Sequence, residues 1–387
     1  SSFDSTTSEG LDRWSSKTLP SSISIGPIVW EDALWGADRD SLWRWETPAT
    51  TPTRWSWPSG FKPHALAGVA QRDGIGKSGV VAISDSGVVA FAAADSPPRL
   101  IATPLTGRMN SELREQIWRI VVADFLRVGH DQLFAVGSYG TTFMVDLKNG
   151  ELLQPPRTYA RGRSGSSSAL LPPLYHDTTA LAVADLDSDG YPEVVFTGHN
   201  TLYALDRHNT ALPGFPFRYQ SPLLEGHLLE TPYRPGEIHS APLLADVTGD
   251  GKPEILSATP AGLLYAVTHT GKLVQSPIGA TLVEQPSGAL RRSSDWPLAV
   301  GSLSMGDTAR HPWIQLAAAN GAGGNGELYL YALSCDHLFG WKLPQSLQSS
   351  NSWLAEGGGS GRSNWFDVSA LEATSANRSD QILKFHP

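Results

Sequence analysis

Leu181-Ala-Val-Ala-Asp-Leu-Asp-Ser-Asp-Gly-Tyr-Pro-Glu-Val-Val195 recurs, with substitutions, as Leu243-Leu-Ala-Asp-Val-Thr-Gly-Asp-Gly-Lys-Pro-Glu-Ile-Leu256. Each copy has a short apolar run, then an acidic loop that contains glycine, then a β-branched or apolar run. A run with a tyrosine follows, Thr201-Leu-Tyr-Ala-Leu205 in the first copy and Leu263-Leu-Tyr-Ala-Val267 in the second. Short apolar runs between Gly, Asn and Asp turns are typical of all-β folds. We therefore predict that each copy is a unit of four short strands.

Weaker copies of this unit extend over the rest of the 387-residue chain. Leu298, for example, is predicted to begin the first strand of one such copy. The spacing indicates six continuous units, at residues 26–58, 63–95, 118–153, 179–217, 240–274 and 297–343.

Half-units stand near the two ends of the sequence. Trp365-Phe-Asp-Val368 and Gln381-Ile-Leu-Lys-Phe385 resemble a first and a second strand, whereas Ser2 to Leu11 resembles a third and a fourth. Residues 1–20 and 363–387 are therefore predicted to form one blade together. The result is a single domain, a seven-bladed β-propeller of four-stranded blades, in which closure protects the strand edges. A six-bladed ring with residues 1–20 as a disordered arm, and an open solenoid, are the alternatives.

The composition excludes several classes of function. The net charge is −9, and the basic residues are scattered, which argues against nucleic acid and anionic membranes as main partners. The single cysteine, Cys335, cannot form an internal disulfide and is interpreted as a structural thiol. No run of 18 apolar residues is present, so no membrane-spanning segment is expected. No signal peptide is recognisable, so we expect an exported form to have lost its leader.

The first acidic loop has the composition of a calcium site. Calcium takes six to eight hard oxygen ligands, and carboxylates at alternate positions can converge on one ion where the chain bends sharply. Gly190 permits that bend. The predicted ligands are the side chains of Asp185, Asp187, Asp189 and Glu193 and the carbonyl of Tyr191.

The second acidic loop repeats the spacing with one carboxylate fewer. Thr248 stands where the first loop has Asp187, so this site is predicted to be the weaker one. Its candidate ligands are Asp246, Thr248, Asp250, Lys252 and Glu254. Two calcium ions are expected in all, because Leu126 and Val128 occupy the ligand positions that follow Asp124. Asx-turns without a metal are the alternative for both loops.

These loops resemble the FG-GAP/VCBS repeat family, which includes the propeller of integrin α subunits. The resemblance is carried by Ala184 to Glu193, Ala245 to Glu254, and the Leu-Tyr-Ala-Leu and Leu-Pro-Gly-Phe-Pro segments that end at Leu205 and Pro216. It covers residues 179–275 firmly and the remainder faintly. It implies a propeller with calcium between the first and second strands, and noncatalytic recognition as its role. The chain departs from the family in keeping two metal loops and in its many tryptophans.

Long connections between units mark a candidate binding face. They span residues 95–117, 154–178, 218–238, 275–296 and 343–363, and each of them is predicted to lead into a first strand. The large residues at these entries are candidate ligand-binding residues: His64, Trp118, His239, Trp296 and Trp365. Tryptophan faces stack on sugars, so a small-ligand or glycan pocket is one interpretation. Packing of these side chains between blades is the other.

Seven of the 13 tryptophans precede residue 58, and their alternation puts Trp43 with Trp45, and Trp55 with Trp57, on common strand faces. We interpret these faces as core, with an exposed protein interface as the alternative.

No catalytic grouping stands out, since HExxH and GxSxG are both absent from the sequence. The sequence therefore predicts a noncatalytic, calcium-stabilised propeller that acts as a protein-binding or assembly module. Its expected location is outside the cytoplasm, as a secreted, periplasmic or cell-surface protein. A glycan-binding lectin and a carbohydrate-active propeller enzyme are the alternative functions.

Overall fold

A computed structural model describes seventeen stretches of the chain. They are residues 23–46, 51–70, 78–103, 118–137, 140–159, 181–198, 201–218, 241–248, 250–258, 263–274, 281–284, 290–293, 298–299, 314–320, 327–334, 337–346 and 364–371. Nearly all regular structure in these stretches is β, with one 3₁₀ turn at Val368–Leu371. No helix in the described stretches is long and apolar enough to cross a membrane.

Four antiparallel sheets follow one another along the first part of the chain, each with four strands in chain order. The first contains β1 (Ile25–Trp30), β2 (Ala33–Ala37), β3 (Ser41–Trp45) and β4 (Thr53–Ser56). The second contains β5 (Pro63–Val69), β6 (Gly79–Ser84), β7 (Val89–Ala93) and β8 (Arg99–Ala102). The third contains β9 (Trp118–Ala123), β10 (Gln132–Gly137), β11 (Thr141–Asp146) and β12 (Arg157–Thr158). The fourth contains β13 (Ala182–Ala184), β14 (Glu193–Gly198), β15 (Thr201–Leu205) and β16 (Phe217–Arg218).

The remaining described strands form a fifth sheet, a hairpin and a three-stranded sheet. The fifth sheet contains β17 (Leu243–Ala245), β18 (Glu254–Ala258), β19 (Leu263–Val267) and β22 (Leu298–Ala299). The hairpin pairs β20 (Thr281–Glu284) with β21 (Leu290–Ser293). The last sheet contains β23 (Ile314–Asn320), β24 (Glu327–Ser334) and β25 (His337–Ser346).

The first strands of successive sheets lie side by side: β5 is adjacent to both β1 and β9, and β17 is adjacent to β13. The sheets pack face to face, so the middle strands are covered on both sides. Every residue of β10 and β11 is buried, so neither strand has an exposed polar face, and their central residues 133–136 and 143–145 are continuous apolar runs. The all-β fold with four-stranded antiparallel units, predicted from the repeat, is confirmed.

Large aromatic side chains of the first sheet pack against small residues of the second. Trp35 is 1% exposed and stacks on Trp55 at 6.0 Å between ring centroids. The Trp30 ring lies so close to Gly68 that a Cβ at this glycine would stand 2.4 Å from it. The core interpretation of the tryptophan-rich segment therefore holds for Trp35, Trp45 and Trp57, all of which are buried.

The fifth sheet differs from the predicted unit. Leu298 was expected to open the next unit, but β22 pairs with β19 as the fourth strand of this sheet. Leu273, which follows β19 in the chain, makes only an isolated bridge to Val267. The third and fourth sheets show the same pattern, with isolated bridges at Leu152 and Ala211 before the true fourth strand. The fifth sheet carries its long insertion between that bridge and the strand.

The number of blades and the closure of the ring stay predictions. Residues 1–20 and 372–387, which would supply most of the shared blade, lie outside the described stretches, as does Cys335. Trp365, predicted to begin the first strand of that blade, forms a parallel bridge to Val122 on the edge of β9 that faces away from β10.

Candidate metal centre

The first acidic loop connects β13 to β14. Ala184 pairs with Glu193, so the loop spans residues 185–192 and Glu193 is the first residue of the returning strand. The chain bends through two residues in the left-handed region, Ser188 with φ +65° and Gly190 with φ +89°. This bend brings Glu193 back beside the start of the loop.

Backbone N–H groups orient the carboxylates of this loop. Asp185 accepts hydrogen bonds from the N–H of Asp189 at 3.1 Å on Oδ1 and from the N–H of Gly190 at 3.0 Å on Oδ2. Glu193 Oε2 accepts the N–H of Leu186 at 2.7 Å. The loop therefore holds its acidic side chains in place through its own backbone.

Three carboxylates converge in this loop. One oxygen each from Asp185, Asp187 and Glu193 lies within 4.8 Å of the other two. Asp185 is 4% exposed and Glu193 only 2%. Within the described part of the chain, this is the one such group of three acidic, histidine or cysteine side chains with metal-ligand spacing.

Burial makes the negative charge of this cluster unfavourable in the absence of a cation. Burial raises the pKa of Asp185 to about 6, and the nearby carboxylates of Asp189 and Asp187 add to the rise. Burial also raises the pKa of Glu193 well above its usual range, although the N–H of Leu186 opposes this. A divalent cation would remove the penalty, because it favours the ionised form of every carboxylate around it.

Asp189 and Tyr191 lie at the outer side of the loop. Burial raises the pKa of Asp189, and Asp189 Oδ2 accepts a hydrogen bond from Arg207 Nη1 at 3.3 Å. The Arg207 guanidinium stacks 3.6 Å from the centroid of the Tyr191 ring. Arg207 thus covers the loop from outside, and sequence reasoning missed this role because the residue lies in the connection between β15 and β16, 18 residues from Asp189.

The second acidic loop connects β17 to β18 with the same frame. Gly251, with φ +85°, donates its N–H to Asp246 Oδ2 at 2.9 Å. Glu254 accepts the N–H groups of Val247 and Thr248 at 2.8 and 3.2 Å, and the Thr248 hydroxyl at 3.2 Å. Burial raises the pKa of Glu254 to about 7.

Two basic side chains, Lys252 and His269, lie next to each other at the second loop. Lys252 Nζ is 3.5 Å from Nε2 of His269, and the Lys252 N–H bonds to Asp250 at 2.9 Å. Burial lowers the pKa of His269, and the positive charge of Lys252 lowers it further, whereas the carboxylates of Asp187 and Asp250 oppose the shift. Carboxylates of both acidic loops, Asp187 and Asp250, therefore contribute to the pKa of His269.

A third loop, between β9 and β10, has the same frame without the ligand set. Gly129 donates its N–H to Asp124 Oδ2 at 2.8 Å, as Gly190 and Gly251 do in the acidic loops. At the position of the buried glutamate stands Gln132, whose Oε1 accepts the N–H of Leu126 at 3.0 Å. Sequence reasoning recognised the lost ligands but missed the shared frame, although the spacing Asp-x4-Gly-x2-Gln was readable.

Of the five candidate ligand-binding residues, the structure describes three. Trp118 is fully buried, where its indole N–H donates to the Asp85 carbonyl at 3.1 Å. Trp365 packs edge-on against Trp30 with 5.1 Å between centroids. His64, in β5, is half-buried. His239 and Trp296 lie outside the described stretches.

No family model and no curated protein matches this chain. Among solved structures, BBS1N in complex with ARL6DN is 14% identical with a TM-score of 0.41, over 82% of this chain and 77% of that one. The computationally designed Ika8 protein is 12% identical with a TM-score of 0.41, over 84% and 86%. PorZ, a surface component of the type-IX secretion system of Porphyromonas gingivalis, is 11% identical with a TM-score of 0.36, over 83% and 45%. Likenesses at this level assign neither a family nor a function.

Proposed function

We propose that this protein is a calcium-stabilised, noncatalytic β-propeller that binds a protein partner outside the cytoplasm. The observation that carries the calcium assignment is the convergence of Asp185, Asp187 and Glu193 within 4.8 Å, with Glu193 almost completely buried. The second loop, with the buried Glu254, is proposed as a weaker site of the same kind.

The donor set fits calcium better than other common metals. All candidate ligands are oxygens, and neither imidazole nor thiolate stands among Asp185, Asp187 and Glu193. Hard oxygen ligands in a flexible loop favour calcium, whereas zinc and copper take nitrogen and sulfur ligands. Asp185, Asp187, Glu193 and the loop backbone would hold the ion, and its role would be to neutralise the buried carboxylates.

The third loop supports this assignment by contrast. Where Leu126 and Val128 replace the ligand residues, the buried glutamate is replaced by the neutral Gln132. A glutamine makes the same backbone hydrogen bond without a buried charge. Buried glutamate and converging carboxylates therefore occur together in the fourth sheet and are absent together in the third, as expected if the glutamates serve a cation.

The role in protein binding is supported by the layout of the chain. Rigid sheets are joined by long connections, with 15 residues between β8 and β9 and 23 between β12 and β13. Long connections on a rigid scaffold are common binding elements. Outside the cytoplasm, where free calcium is about millimolar, even a weak loop such as the second would be filled.

Calcium binding and partner binding are tested separately. Isothermal titration of the chelated protein with calcium should give two sites of unequal affinity, and magnesium should bind more weakly. Absence of calcium binding would overturn the metal assignment. For the partner, copurification at about 1 mM calcium should yield a stoichiometric protein. Binding of this chain to glycans on an array, with no protein copurified, would instead support the lectin alternative.

A further inference from the structure

Asn364–Leu371 forms a short segment that docks onto the first strands of three successive sheets; we refer to it as the central segment. β9 is an edge strand of its sheet, so its edge that faces away from β10 can pair with a further segment. Val122 of β9 donates its N–H to the carbonyl of Asn364 at 2.8 Å and accepts the N–H of Phe366 at 2.9 Å. The central segment thus adds a parallel partner to this edge.

The tryptophan of the central segment is held by a buried carboxylate. Trp365 Nε1 donates to Asp131 Oδ2 at 3.0 Å, and Asp131 is completely buried. The same oxygen accepts the N–H of Ala70, just beyond β5, at 3.1 Å. One carboxylate of the third sheet therefore joins the second sheet and the central segment.

Further contacts extend this docking to neighbouring sheets. Asn364 Nδ2 donates to the carbonyl of Leu66 in β5 at 3.0 Å, and Trp365 packs on Trp30 of β1. Phe366, Val368 and Leu371 are at most 4% exposed and belong to the apolar cluster of the third and fourth sheets.

The loop without metal ligands holds the other end of the central segment. Arg127, with φ +56°, lies at the tip of the third loop, where the first acidic loop has Ser188. Arg127 Nη1 donates to the carbonyl of Val368 at 2.6 Å. The third loop thus uses a side-chain cation to bind a segment of its own chain.

We propose that the edge of β9 that faces away from β10 is a peptide-docking edge and that the central segment occupies it. The docked segment acts as a lock, because it holds the first three sheets together from the side of their first strands. Backbone pairing supplies affinity, as in other cases of strand addition, and the Trp365 indole on Asp131 fixes the register. The hydrogen bonds named above come from β5, β9, Ala70, Asp131 and Arg127, and none of them comes from a residue of the two acidic loops.

Cleavage of the full chain tests whether the docking edge retains its occupant. A protease site replaces residues 357–360, Gly-Gly-Gly-Ser in sequence, and the cut protein is passed over a size-exclusion column. The fragment from 361 onward should stay bound. Trp365→Phe removes the indole N–H and should release the fragment at least about tenfold faster, since the buried carboxyl group of Asp131 loses one of its donors. Trp118→Phe removes another indole N–H, within β9 and bonded to the Asp85 carbonyl, and should release the fragment at the rate of the unsubstituted protein.

Release from the unsubstituted protein on cutting, with its β-sheet signal and cooperative unfolding unchanged, would overturn the proposal. Equal release rates for Trp365→Phe and Trp118→Phe would do the same. Arg127→Gln provides a second test, because this side chain is half-buried and its loss should leave the protein folded. Hydrogen exchange at the amides of Val122 and Phe366 should become at least about tenfold faster in this variant. Unchanged exchange at both amides would contradict the lock.

Discussion

Gln132 occupies in the third sheet the position that Glu193 occupies in the fourth. Each is the first residue of a second strand, and each accepts a backbone N–H from the loop before it, at 3.0 and 2.7 Å. The two side chains differ in charge but share their hydrogen-bonding role. They therefore allow the cost of a buried charge to be separated from the effect of a metal.

Glu193→Gln should abolish most of the calcium response without harming the metal-free fold. In the unsubstituted protein, calcium at 100 times its dissociation constant should stabilise the native state by about 2.7 kcal/mol per site. Thermal unfolding with calcium and with EDTA measures the difference. The variant should show at most the response of the second loop, and in EDTA it should be at least as stable as the unsubstituted protein. Glu151→Gln, on an exposed turn, is the control that should keep the full response.

Gln132→Glu should destabilise the protein by about 1–3 kcal/mol, because it introduces a buried charge without a cation. Adding Leu126→Asp and Val128→Asp should then create a third calcium site in the existing frame. Chemical denaturation with and without calcium measures both effects. A triple variant whose stability ignores calcium would show that the frame alone does not form a site.

The calcium-free protein should become more stable as the pH falls from 8 to 5. The pKa of Asp185 is raised to about 6 and that of Glu254 to about 7. At pH values between the pKa of each group in the unfolded chain and its raised pKa in the native state, the native state therefore binds more protons than the unfolded chain. The stabilisation is complete below the unfolded pKa values and is lost as the pH rises through 6 to 7. Calcium competes with these protons, so in excess calcium the melting temperature should fall, not rise, toward pH 5. A melting temperature in EDTA that rises with pH over this window would contradict the assignment.

Gly68→Ala should cost about 1–3 kcal/mol through overpacking, because the new Cβ would stand 2.4 Å from the Trp30 ring. Trp30→Leu in the same chain should recover part of this cost, which a double-mutant cycle measures. Gly36→Ala is the matched control: its Cβ would stand 3.2 Å from the Ile23 side chain, which needs to move by only a few tenths of an ångström, so its cost should be smaller. Equal costs at the two glycines would argue against the close packing of the first and second sheets.

The repeat was enough to predict the strands and the loops that carry ligands, because both depend on local patterns. The alternation of Asp185, Asp187 and Asp189 around Gly190 is visible in the sequence, and the structure brings two of the three together with Glu193. The role of Asp131 was not predictable, because its partners Ala70 and Trp365 are 61 and 234 residues away. Leu298 was misassigned for a related reason: a two-residue edge strand has no periodicity by which to assign it.

The long connection between β19 and β22 has an entropic consequence. In the fourth sheet, residues 206–216 separate the third and fourth strands, which is 11 residues; in the fifth sheet, residues 268–297 separate them, which is 30. Closing the longer connection costs about 1 kcal/mol more, by the logarithmic dependence on chain length. Two residues of pairing must offset this cost, so the fourth strand of the fifth sheet should fray before that of the fourth sheet.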